Sequence, residues 1–285
     1  MRRGGGQAAA APATGPSTRL TVEDMGKLDN RVALVTGSAR GLGAGIAGAL
    51  AAEGATVICA DVIDTAETAS GLPAGSGGAP AEGVRLDVTD RAAAFALVDD
   101  IVARHGRLDI LCNNAGVAQP IEDLVDSDES VIDRVLAVNV KGVINCTAAA
   151  ARPMKKAGYG RIVNTASQVG KRAWPGWGVY SASKFAVIGI TQVAALELAK
   201  DGITVNAICP GTMVTDMMYT GFGQAAETAG ADRDELIAAH AAGIPLGRMG
   251  TAEDMGRMAA WIASDDAGYT TGAQFNLTGG EAVFF

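Results

Sequence analysis

Tyr180 and Lys184 stand four positions apart in the stretch VYSASKF, and Ser167 lies 13 residues before the tyrosine. On a helix, positions i and i+4 share a face, so the phenol and the amine would project together. A phenol has a reference pKa of ~10 and is neutral at pH 7. Bringing it near 7 takes ~3 units, or about 4 kcal/mol of preferential stabilisation of the phenolate. A lysine ammonium a few ångströms away is a direct source of that stabilisation. The pair therefore suits acid–base chemistry in a chain with only two histidines, His105 and His240. Neither histidine fits a motif, and both are expected at the surface.

A second constellation points to a nucleotide. The run TGSARGLG, Thr36 to Gly43, follows an apolar β-branched stretch and opens a helical one. Glycines at 37, 41 and 43 let the backbone turn sharply and approach a ligand with no Cβ in the way. A helix starting there presents free N–H groups and partial positive charge to a pyrophosphate. The spacing, GxxxGxG, departs from the GxGxxG fingerprint, but its place after a first strand strengthens it. Asp61 follows TVICA and lies 24 residues beyond Gly37, near the ~20 expected of a ribose-binding carboxylate. A carboxylate there accepts from ribose hydroxyls and repels the extra phosphate of NADP. Arg40 would attract that phosphate, or is simply a solvated loop side chain. The strand-end position of Asp61 outweighs it, and the cofactor expected is NAD.

The elements that must position these groups alternate. Strands are expected at Arg31 to Thr36, Thr56 to Ala60, Gly83 to Asp87, Leu108 to Asn113, Arg161 to Ala166, Ile203 to Ile208 and Gln274 to Leu277. Helices are expected from about Leu42 to Glu53, after the capping pair Thr89 and Asp90, from Asp128 to Arg152, from Tyr180 to Lys200, and from near Thr251. Such alternation implies an α/β fold: a single domain whose parallel sheet of about seven strands is covered by helices on both faces. Gly71 to Gly83 is rich in Gly, Pro and Ala and is expected as a loop. The stretch 212–243 is too long for a plain connection and is expected to be a lid or binding loop.

Composition narrows the partners. The 285 residues carry 23 Lys plus Arg against 31 Asp plus Glu, a net charge of −8. That balance argues against nucleic acid and anionic membranes and suits small-molecule chemistry. Cys59, Cys112, Cys146 and Cys209 are scattered, which fits neither a metal site nor a disulfide framework and agrees with a reducing cytoplasm. The first 27 residues are small and turn-prone and are expected as a disordered tail. A weak organelle-targeting reading of that tail and a start at Met25 both stay open.

Taken in order, TGSARGLG at Thr36, the strand-three acid Asp87, NNAG at Asn113, Ser167, YSASK at Tyr180 and PGTMVT at Pro210 resemble the short-chain dehydrogenase/reductase family. The resemblance runs from about Leu28 to Gly280 and implies a Rossmann-type doubly wound sheet. It implies that Tyr180 is the base in alcohol oxidation and the acid in carbonyl reduction. Lys184 would also hold the nicotinamide ribose, Ser167 would position the substrate oxygen, and Asn139 would support a water relay to the lysine. Gly37, Ser38, Arg40, Gly41, Leu42 and Gly43 would hold the pyrophosphate end. Asp87 and Val88 would flank the adenine, and Asn114, Ala115 and Gly116 would line the path to the nicotinamide. Pro210, Gly211, Met213 and Thr215 would hold its carboxamide. Homotetramers are common in the family.

Substrate signals are thinner. The lid has one basic residue, Arg233, before Arg248, which favours a neutral alcohol or ketone. NTASQVG resembles the polyol and acetoin-type dehydrogenases of the family, where Gln168 would meet a second substrate hydroxyl; a solvent-facing loop amide is the alternative. Trp174 and Trp177 either wall the pocket or only pack. The apolar end GGEAVFF either packs on a neighbouring subunit or folds over its own site. The leading expectation is an NAD-dependent dehydrogenase of a secondary alcohol or small polyol. Its rivals are an NADPH-dependent 3-oxoacyl reductase, a non-catalytic dinucleotide sensor on the same fold, and a membrane-docked enzyme.

Overall fold

In the computed structural model, residues 26–283 are described. The expected tail up to Met25, and Phe284 and Phe285, lie outside them. Lys27, placed in the tail by sequence, is held: its backbone N–H donates to Glu53 and its ammonium to Asp266.

β1 (Val32–Thr36) is buried along its whole length. Val32 and Leu34 enter one apolar cluster and Ala33 and Val35 another, as alternation requires of a strand between two helical layers. β2 (Thr56–Asp61), β3 (Glu82–Arg85), β4 (Ile110–Asn113), β5 (Gly160–Thr165), β6 (Ile203–Pro210) and β7 (Gln274–Leu277) complete the sheet. Its order is β3-β2-β1-β4-β5-β6-β7, with every pairing parallel. The winding reverses between β1 and β4, where such sheets open a crevice beyond their strand ends.

The helices are α1 (Gly41–Ala52), α2 (Ala66–Ser70), α3 (Arg91–His105), α4 (Glu129–Leu136), α5 (Gly142–Ala157), α6 (Gly178–Leu198), α7 (Asp216–Ala229), α8 (Arg233–Gly243) and α9 (Ala252–Ala263). Ile46 and Leu50 of α1 meet Met255 and Ile262 of α9 on the Val35 face. Val98 and Ile101 of α3 meet Cys146 and Met154 of α5 on the Leu34 face. Asp90 caps α3 by accepting from the Ala93 N–H. Thr251 and Asp254 cap α9 reciprocally. Gly178–Asp201 is long and apolar enough to cross a membrane by length and composition alone, yet half of it is buried inside this domain.

Three expectations change. The single helix expected from Asp128 is broken by a π-turn, Ala137–Lys141, in which the Gly142 N–H reaches back to the Ala137 carbonyl; the helix then runs past Pro153 to Ala157. A π-turn inserts one residue and re-aims the side chains beyond it, and here it buries Asn139. The 212–243 stretch is not a loop but mostly two helices, α7 and α8, started by Thr215 and Asp232 as caps. β3 stops at Arg85, short of Asp87, whose carboxylate instead accepts from the Thr89 N–H and hydroxyl.

Candidate active site

A cleft of about 760 Å³ opens at the C-terminal ends of the strands, a size that suits a small-molecule site. One end is the glycine loop. Gly41 has φ +58°, and a Cβ added there would meet nothing within 4 Å, so the backbone borders open space. Gly37 and Gly43 are set by packing instead: a Cβ on Gly37 would lie 2.6 Å from Ala115 Cα, and one on Gly43 would lie 2.0 Å from the Gly37 carbonyl oxygen. Arg40, Leu42 and Asp61 also line this end. Asp61 is held by three backbone N–H groups, from Ala39, Val62 and Ile63.

Ser38 is not brought to the cleft. Its hydroxyl donates to the Val35 carbonyl at 2.9 Å, its N–H donates to the Ala60 carbonyl, and it is fully buried. Its expected cofactor role therefore has no free group to perform it.

Asp87, Val88, Asn114, Ala115 and Gly116 line the middle of the cleft. Asn114 acts as a clamp between strand ends: its amide donates to the Thr36 and Gly37 carbonyls and its oxygen accepts from the Thr165 hydroxyl. Pro210, Gly211, Met213 and Thr215 line the far wall.

Ser167, Tyr180 and Lys184 all face the same cleft. The extended Ser167 follows β5, and its oxygen accepts from the Val169 N–H at 3.3 Å, leaving its proton to donate. The Lys184 ammonium donates to the Thr165 carbonyl at 2.8 Å and sits 5.5 Å from the centroid of the Tyr180 ring. Burial pushes Tyr180 up to about 12, opposed by a hydrogen bond with Ser167. Burial draws Lys184 down to about 8, opposed by Cys209. In the protein without nucleotide, burial is the largest influence on the phenol, and the Ser167 hydrogen bond opposes it.

Asn139 is 1 % exposed and does not line the cleft. Its amide donates to the Val117 carbonyl and Ser183, and its oxygen accepts from the Val117 N–H. The side chain is thus committed to holding the loop after β4 and α6 together.

Trp174, Trp177 and Gln168 line the cleft, as do Met218 and Phe222 of α7. Sequence reasoning missed three groups. His240, expected at the surface, lines the cleft with Thr212 and Glu281. Gln119, which accepts from the Tyr180 N–H at 2.7 Å, carries no sequence signal beyond its place just after NNAG. Glu281, in the apolar C-terminal stretch, lines this chain's own cleft. His105 instead pairs with Glu82 at 2.9 Å, outside the cleft lining.

The family profile described as enoyl-(acyl carrier protein) reductase matches residues 37–281. The chain belongs to the short-chain dehydrogenase/reductase family. It is 40 % identical over 257 residues to galactitol 2-dehydrogenase of Agrobacterium fabrum, covering 89 % of this chain and 98 % of that one. It is 39 % identical to sorbitol dehydrogenase of Cereibacter sphaeroides, with the same coverage. It is 37 % identical to the 3-oxoacyl-(acyl-carrier-protein) reductase of Haemophilus influenzae, covering 89 % and 98 %. Among solved structures, levodione reductase matches with a TM-score of 0.81 at 30 % identity, over 89 % of this chain and 98 % of that one. This short-chain dehydrogenase/reductase is accordingly an oxidoreductase of alcohols and ketones that uses a nicotinamide dinucleotide.

Proposed function

We propose that the protein is an NAD-dependent dehydrogenase transferring a hydride between nicotinamide and a secondary alcohol or ketone, with small polyols as the substrate class. The observation that carries this is the sharing of one cleft by Ser167, Tyr180 and Lys184 at one end and Asp61 with the glycine loop at the other. The open space at Gly41 and the fixed carboxylate of Asp61 fit a dinucleotide. Gly41 and Gly43 at the start of α1 would hold its pyrophosphate, Asp61 its adenosine ribose, and Lys184 its nicotinamide ribose. Bound NAD would supply the hydride acceptor.

The chain's own residues do the rest. Ser167 donates to the substrate oxygen and holds it beside the phenol. Tyr180 takes the hydroxyl proton, while the carbinol hydrogen would leave as hydride to a bound nicotinamide, and Tyr180 returns the proton in the reverse direction. The Lys184 ammonium favours the phenolate, as would the positive charge of an oxidised pyridine ring. Trp174, Trp177 and Phe222 exclude water.

Polyols are supported by Gln168. It stands next to Ser167, is 8 % exposed, and its Oε1 has no hydrogen-bond partner; a vicinal substrate hydroxyl would satisfy it. The galactitol and sorbitol dehydrogenases among the relatives agree with this reading. NAD is favoured by the fixed carboxylate of Asp61, which would repel a 2′-phosphate; Arg40, the cation that would attract one, pairs with Asp216 at 3.0 Å. The second reading, an NADPH-dependent 3-oxoacyl reductase, rests on Arg40 and on the reductase relative.

We also place the enzyme in the cytoplasm, in keeping with four free buried cysteines, and as a homotetramer, in keeping with exposed Phe185, Val193 and Leu196 on α6; light scattering tests the latter. The function is tested by initial rates on galactitol, sorbitol, diols and a 3-oxoacyl thioester with each nucleotide. Tyr180→Phe should bind NAD as the parent does and transfer no hydride. Turnover of the thioester with NADPH and of no polyol with NAD would select the second reading.

A further inference from the structure

α8 has no buried residue along its eleven positions. Its contacts within the lid are light: Arg233 lies over the Tyr219 ring and His240 meets the edge of Phe222. Among the described residues, His240 is the one side chain of α8 that hydrogen-bonds outside α7 and α8. Its Nε2 lies 2.9 Å from the Thr212 hydroxyl and 3.2 Å from Glu281 Oε1. The chain is next anchored at Ile244, 3 % exposed, just past the helix.

The other half of this junction is built tightly. Glu281 Oε2 accepts from the Thr212 N–H at 2.7 Å, and Oε1 accepts from the Thr212 hydroxyl at 2.8 Å. A Cβ on Gly211 would lie 2.6 Å from Glu281 Oε2, so only glycine lets the carboxylate come this close to the loop backbone. Because the Thr212 proton is committed to Glu281, the Thr212 oxygen can only accept from His240. Nε2 must then carry a hydrogen, which it does in the imidazolium and in one neutral tautomer. The bond therefore survives in both charge states.

We propose that His240 and Glu281 are positioning residues that clasp the α7–α8 lid to the loop after β6, so that lid and loop move together. Three segments far apart in sequence meet here, and all three line the cleft. This rests on reading the cleft as the active site, because the clasp then joins the substrate lid to the loop whose Pro210, Gly211, Met213 and Thr215 are assigned to the nicotinamide. Neither side chain is asked to touch a reacting atom.

Hydrogen exchange on the full-length protein, without nucleotide or substrate, tests the clasp. Amides of residues 233–243 should exchange about tenfold faster in His240→Ala and Glu281→Gln, while those of α1 and α9 stay as in the parent. His240→Gln, which keeps an N–H donor, should recover part of the protection. The double variant should be no faster than Glu281→Gln alone, since both changes open one junction. In turnover, KM should rise more than kcat falls. Unchanged exchange in α8 in both single variants would overturn the proposal, as would independent, multiplying effects in the double variant. Exchange is read without catalysis, so failure of the dehydrogenase reading would leave this result standing.

Discussion

The backbone N–H of Tyr180 donates to the side-chain oxygen of Gln119 at 2.7 Å. Gln119 is 5 % exposed, and its amide in turn donates to the Gly176 carbonyl at 3.4 Å. The residue before α6, Trp177, supplies no side-chain cap. A loop residue after β4 therefore provides an acceptor that the first turn of a helix lacks, and it does so at the proposed acid–base residue. Gln119→Leu leaves that N–H unpaired, a loss of about 1–3 kcal/mol, and frees Tyr180 to shift. We expect kcat to fall about tenfold or more with little change in NAD affinity. Gln119→Glu keeps an acceptor and should recover most of the loss. A leucine variant with unchanged kcat would remove Gln119 from the site.

Tyr180 favours its neutral form because burial pushes it up to about 12. Oxidation needs the phenolate as base, so its rate should climb with pH while that of reduction declines. Ser167 pulls the other way by hydrogen bonding. In Ser167→Ala the ascending limb of kcat/KM for oxidation should move to higher pH, beyond the drop in rate itself. Profiles of parent and variant check this; a limb that stays in place would mean that Ser167 does not tune the phenol.

Much of this was legible in the sequence, because strand and helix periods survive in residues buried on both faces. Leu34 and Val35, or Ile58 and Cys59, are apolar in a run, and a parallel sheet is the consequence. Tyr180 and Lys184 were legible because helical spacing alone brings them together. The π-turn at Asn139 was not, since one inserted residue barely disturbs an apolar period. Nor were Gln119, His240 and Glu281: each acts through a partner more than 25 positions away, and no local spacing encodes such a contact. The burial of the Tyr180 phenol was not legible for a related reason. Desolvation depends on what surrounds the group in three dimensions, and a motif records only one neighbour.

A buried Lys184 ammonium should cost stability, a cost its proposed role would explain. Its folded value is drawn to about 8, below the 10.5 of a free lysine. Between these values the unfolded chain binds more protons, so parent stability should rise with pH across that window and be lowest below 8. The difference corresponds to about 3 kcal/mol at pH 7. Lys184→Met removes the buried charge at the expense of the Thr165 bond. The variant should be inactive yet more stable than the parent at pH 7 by about 1–3 kcal/mol, with the gap closing as pH approaches 10.5. Denaturant melts at several pH values measure it. A methionine variant that is less stable at pH 7 would place the lysine's worth in structure rather than in chemistry.

On the proposed reading, cofactor choice turns on three charged side chains. Asp61, fixed by three N–H groups, lines the cleft, and its carboxylate would repel a 2′-phosphate bound beside it. Asp61→Ser removes the repulsion and should raise the NADP to NAD ratio of kcat/KM by about tenfold or more. Arg40 is held by Asp216 across the cleft mouth, but both side chains are 71 % exposed, and such pairs contribute at most about 1 kcal/mol. Asp216→Asn should therefore raise the ratio by only about two- to fivefold, and Arg40→Ala should cancel that gain. Titration with 2′,5′-ADP and ADP gives the same ordering without turnover. A ratio unmoved by Asp61→Ser would shift nucleotide selection away from the end of β2, and with it the case for NAD.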